Sequence, residues 1–82
     1  MTIRNLINEI YMTPIDNTIR FSTLASMAEA YLLDKNTTET RDIISIIKRL
    51  QIIVKSTLEK ETVSQGTVNL YEREKEKLAK YL

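Results

Sequence analysis

The sequence predicts an all-α fold: a small bundle of about four helices packed around a long central helix at residues 40–62. Three observations predict it. The stretch Thr40 to Glu61, TRDIISIIKRLQIIVKSTLEKE, is the densest apolar stretch in the chain and repeats with a helical period. The hydrophobic content, 43%, suffices for a folded protein and is too high for a disordered one. One Gly and one Pro leave little room for a turn-rich β architecture.

In the central stretch Ile43, Ile47, Leu50, Val54 and Leu58 recur at steps of four, three, four and four. Ile46, Leu50 and Ile53 form a second row beside them. Ile and Val are β-branched and favour sheets, but period and length outweigh that propensity. The apolar positions fill about half the circumference, so the helix needs cover from more than one side. The opposite face carries Arg41, Ser45, Lys48, Arg49, Gln51, Lys55 and Glu59.

Residues 2–12, TIRNLINEIYM, place Ile3, Leu6, Ile7, Ile10 and Tyr11 on one face, with Thr2 as the cap. Thr13-Pro14-Ile15-Asp16 ends this helix and starts the next, because the residue before a proline is pushed out of the helical region. Pro14 suits a first turn and Thr13 its cap; Ser22 is the alternative cap. The second helix runs to Leu33 or Asp34 and turns Leu24, Met27, Ala28, Tyr31 and Leu32 inward. Met27 and Tyr31 are expected in the core.

Asp34 to Thr38 is a polar loop in which Asn36 can take the left-handed closing conformation. Thr37 or Thr38 caps the central helix, and Thr38 to Arg41 is no capping box. Gly66 stands where a left-handed residue would close the central helix, and Thr67 can cap the last one. That last helix, residues 68–82, has a thin stripe of Tyr71, Leu78 and Leu82 with Lys75 at a core position. On a charged helix such a stripe suits an outer wall, an oligomerisation seam or a partner-binding element. The whole of 1–82 is read as a single helical domain, and its small size favours a homo-oligomer.

Catalytic chemistry has little to draw on. The sequence contains no His and no Cys, so metal sites and thiol chemistry lose their usual ligands. Glu72, Glu74 and Glu76 lie two apart on a helix and do not converge. No base is evident beside a Ser or Thr, and a single glycine cannot build a phosphate loop. The expectation is a non-enzymatic protein without cofactor or metal. No signal peptide and no membrane span are visible, so a cytoplasmic protein without membrane insertion is expected. The net charge of +1 draws neither nucleic acid nor a membrane surface strongly.

The candidate binding residues are Arg41, Lys48, Ile52 and Lys55. The three cations are seven apart and line up on the central helix, with Ile52 as an apolar residue within the basic row. This is the form of a partner-binding face. The alternative is a small helix-turn-helix-like DNA-binding regulator, because residues 22–50 have the outline of a helix, a turn and a second helix. Against it, Glu39 and Asp42 in the first turn of the reading helix would repel phosphates.

Over its full length, and in stretches such as MTIRNLINEIYMTPID and its Ile/Asn/Thr/Lys-rich composition, the chain resembles the small cytoplasmic lysis-inhibition proteins of T-even bacteriophages, the antiholins of the rapid-lysis loci. The resemblance implies a viral protein of the host cytoplasm, peripheral to the inner membrane through its partner. It also implies binding to the cytoplasmic segment of the phage holin, which delays pore formation and host lysis. It carries no residue-level motif, so it assigns no site residue.

Overall fold

The structure, a computed structural model, describes residues 2–82. Its elements are α1 (Ile3–Met12), α2 (Thr18–Leu32), α3 (Thr38–Leu58) and α4 (Gln65–Ala79), with no strand among the described residues. The all-α fold is thus present, with α3 the longest helix at 21 residues. α3 packs on α2 and α4, and α1 packs on the same two. α1 and α3 lie diagonally opposite each other, as do α2 and α4: no Cα atoms of either pair come within 8 Å.

α3 buries Ile43, Ile46, Ile47, Leu50, Ile53 and Val54, the rows expected from its period. It stops at Leu58, short of the expected end, and leaves Leu58 66% exposed. Its N-terminus is a capping box formed by Thr37 and Thr40, one residue ahead of the Thr38 to Arg41 segment. The Thr37 hydroxyl accepts from the Thr40 N–H at 3.1 Å, and the Thr40 hydroxyl accepts from the Thr37 N–H at 3.0 Å. A Thr at the third position takes the part usually given to Glu or Gln.

α1 is capped by Thr2, whose hydroxyl accepts from the Asn5 N–H at 3.2 Å, and buries Leu6, Ile7 and Ile10. Thr13 closes α1 in an extended conformation, as a residue before proline must. It does not cap α2. Pro14 to Asn17 form a hydrogen-bonded turn, and Asn17 is the cap, its side chain accepting from the Arg20 N–H at 3.4 Å. Ser22 lies inside the helix.

α2 turns Phe21, Leu24, Ala25, Ala28 and Leu32 inward. Met27 and Tyr31, expected in the core, are 45% and 39% exposed. The cause is Phe21, the bulkiest inward residue of α2, which rotates the buried face toward itself. Its ring meets Tyr71 edge-on at 6.0 Å, a favourable aromatic geometry.

The chain turns between helices without left-handed residues. No glycine or other described residue has a positive φ, so neither Asn36 nor Gly66 closes a helix in that way. Gly66 sits in the first turn of α4, which starts earlier than Thr67 because Ser64 caps it by accepting the Thr67 N–H at 3.2 Å.

α4 fills its inward stripe with Tyr71, Glu74, Lys75 and Leu78. Two of these are charged, which is why the stripe looks thin in the sequence. Lys75 is 7% exposed. Its ammonium donates to the Thr13 carbonyl at 3.3 Å, lies 3.4 Å from Glu72, and sits over the Tyr71 ring at 4.9 Å. Those contacts replace water around a buried cation.

Candidate functional site

The outward side of α3 is set by its inward side. With Ile46, Leu50 and Ile53 facing the core, the helical period turns Lys48, Ile52 and Lys55 to solvent. Ile52 is 69% exposed. Lys48, Ile52 and Lys55 border one shallow depression of about 340 Å³ between α2 and α3, together with Glu29 and Gln51. Arg41 does not reach it. It lies on the first turn of α3 and its Nε donates to the Thr37 carbonyl at 3.4 Å.

Glu29 comes from α2, and sequence spacing along α3 could not have found it. Its Oε1 is buried and has no hydrogen-bond partner. A shielded carboxylate oxygen without a donor is uncommon in folded proteins. The residue borders a depression that two lysines also line, with this oxygen itself shielded beneath the surface. The one available signal is that Glu29 is the only acidic residue in α2.

Ile52 also borders a second depression of about 200 Å³ on its other side, with Ile53, Leu70, Arg49 and Glu74. Leu70 of α4 is 43% exposed. Ile52 is therefore a ridge between two grooves, one facing α2 and the other α4.

The α4 side is closed by a charge cluster. Arg49 Nε donates to Glu74 Oε2 at 3.1 Å, and Lys77 Nζ donates to Glu74 Oε1 at 2.9 Å. Arg49 Nη1 donates to the Ser45 hydroxyl at 2.9 Å. Burial alone would raise the Glu74 carboxyl. The hydrogen bonds and charges of Lys77 and Arg49 outweigh it and hold Glu74 below the ordinary carboxylate range. Arg49 is thereby occupied within the fold, which weakens α3 as a phosphate-gripping helix.

A further depression of about 470 Å³ between α3 and α4 is rimmed by both signs of charge, Asp42 and Glu76 against Arg49, Lys77 and Lys80. Ser45 lines it too, its hydroxyl taken up by Arg49. Among the described residues no group of three or more metal-ligating side chains converges, and no helix is long and apolar enough to cross a membrane.

What this surface can do chemically is dock a chain: an exposed apolar ridge flanked by two ammonium groups. A scan against protein families and searches of curated proteins and of solved structures find no match to this chain, so its function is argued from this surface and from the resemblance in its sequence.

Proposed function

We propose that the chain is a non-enzymatic regulator that binds a protein partner on the outward face of α3, and that the partner is the cytoplasmic segment of a phage holin, whose pore formation is thereby delayed. The observation that carries the binding reading is the single depression bordered by Lys48, Ile52, Lys55 and Glu29, with Ile52 69% exposed. An amphipathic helix laid in it would set an apolar side chain on Ile52 and carboxylates against Lys48 and Lys55. The identity of the partner comes from the resemblance to the lysis-inhibition proteins. In this reading the protein works in the host cytoplasm and is held near the inner membrane by its partner.

The test is binding of the full chain to the holin's cytoplasmic segment, with the Lys48→Glu, Lys55→Glu double variant and with Ile52→Asp. Each variant is expected to weaken binding by about tenfold or more while circular dichroism shows the helices intact. Unchanged binding removes this face. Binding of duplex DNA at low salt, steeply lost as salt rises, would instead support the DNA-regulator alternative. Truncation after Gly66 is not a useful probe of α4 as a rival surface, because it deletes the fully buried Tyr71 and Leu78.

A further inference from the structure

The two grooves beside Ile52 differ in charge. On the α2 side Lys48 and Lys55 stand two turns apart, about 10 Å along α3. Among the described residues neither forms a salt bridge. Glu29 borders this groove too, so it holds two ammonium groups against one carboxylate and is net positive. On the α4 side the charges cancel. Arg49 Nε donates to Glu74 Oε2 at 3.1 Å, and Glu74 also takes Lys77. What that groove has left to offer is apolar: Ile52, Ile53 and the partly exposed Leu70. The helical period fixes the order round α3. Ile52 lies about 40° from Lys48, and Arg49 about 100° in the same sense. A basic row, an apolar ridge and an uncharged apolar groove therefore run side by side.

We infer that a single partner helix straddles Ile52 and fills both grooves, so that Leu70 of α4 belongs to the interface. The inference rests on the α3 face being the partner surface, and it adds which rows of the partner are read. The partner is an acidic amphipathic helix lying along α3. Carboxylates two turns apart on it meet Lys48 and Lys55. The adjoining row is apolar, and its middle side chain passes Ile52 to rest against Leu70 and Ile53. The Arg49–Glu74 pair sets this second requirement. A charged side chain entering that groove would lose its water and find both counter-charges already paired. Arg41 lies outside the footprint, two turns before Lys48 and bordering neither groove.

The probe is a synthetic helical peptide of about 15 residues. It carries glutamates two turns apart with a leucine row beside them, and is made with that row on either side. Calorimetric titration of the full chain in about 0.15 M salt confines charge effects to near neighbours. The Lys48→Glu, Lys55→Glu variant is expected to bind about tenfold or more weaker, and a peptide with lysines in place of its glutamates restores binding to that variant. Arg41→Glu changes affinity by less than about twofold. Leu70→Ala, and alanine for the middle leucine of the peptide, each weaken binding about threefold or more. Together they weaken it little beyond either alone, because both delete the same contact. Circular dichroism of each variant is unchanged, since all the substituted residues are at the surface. If the lysine variant loses binding but the two leucine losses multiply, the two-groove inference is overturned and the α3 face stands. A lysine variant that binds normally overturns both, as does a wild-type chain that binds neither leucine-row peptide at about 1 mM.

Discussion

The main-chain oxygen of Thr13 accepts the Tyr71 hydroxyl at 3.1 Å, across 58 residues of chain. Thr13 ends α1, so its carbonyl has no partner within a helix. Tyr71 and Lys75, one turn apart on α4, both supply one. The corner between α1 and α2 is thereby fastened to the last helix. The Thr13 hydroxyl donates to the Glu9 carbonyl at 2.7 Å and holds the corner from its own side.

Sharing one acceptor makes the two donors partly redundant. Tyr71→Phe is expected to cost about 1 kcal/mol, the usual net worth of a hydrogen bond. Lys75→Met should cost no more, because it also relieves a buried charge of its desolvation. The double variant should cost more than the sum of the two, since only then is the Thr13 carbonyl buried without a donor. Urea unfolding of the four proteins gives the cycle, and strict additivity would show that the donors act separately.

Stability should fall at both ends of the pH scale. The folded Glu74 pKa is lowered by Lys77 and Arg49. Its contribution is therefore present above the unfolded carboxyl pKa of about 4.3 and is lost as pH falls through the folded value. Arg49 and Lys77 are 47% and 48% exposed, so the gain is screened and amounts to less than about 1 kcal/mol. Burial, with help from Glu72, pushes the Tyr71 phenol up. That contribution is complete below the unfolded phenol pKa of about 10 and is lost as pH climbs beyond it. Melting temperatures against pH should show both limbs. Glu74→Gln should flatten the acid limb and Tyr71→Phe the alkaline one.

Gly66→Ala should stabilise the protein by about 0.5–1 kcal/mol, the helix-propensity difference. Gly66 lies in the first turn of α4 without a positive φ. A Cβ there would meet only the Ser64 hydroxyl oxygen, at 3.9 Å. A lower melting temperature in the Ala variant would mean the position needs glycine after all.

Thr40→Ala should lower stability by about 1–2 kcal/mol, since one hydroxyl is lost from two linked contacts. It caps the Thr37 N–H and donates to the Lys35 carbonyl at 2.8 Å. Thr38→Ala, on an exposed neighbour, should cost much less. Denaturant midpoints of the pair check the difference.

The long helix was legible because a long run of Ile, Leu and Val at a helical period has no other way to bury one face. Thr2 as a cap was legible for a similarly local reason. The α2 core face was not. Its residues are nearly uncharged all round, so the period points nowhere, and only Phe21 meeting Tyr71 decides the rotation. The candidate site divides in the same way. Lys48, Ile52 and Lys55 share a face through spacing on one helix, whereas Glu29 joins them from another helix through packing.

By itself the sequence determined the helical class, the presence of α1 and α3 and the basic row, all of which depend on neighbours three or four residues away. The tertiary structure alone decided that Thr13 faces Tyr71 and Lys75, that Gly66 begins a helix instead of closing one, and that α2 presents an uncharged face. These depend on which side chains meet across the bundle, where a burial or a hydrogen bond worth about 1 kcal/mol or more outweighs the few tenths by which local preferences differ.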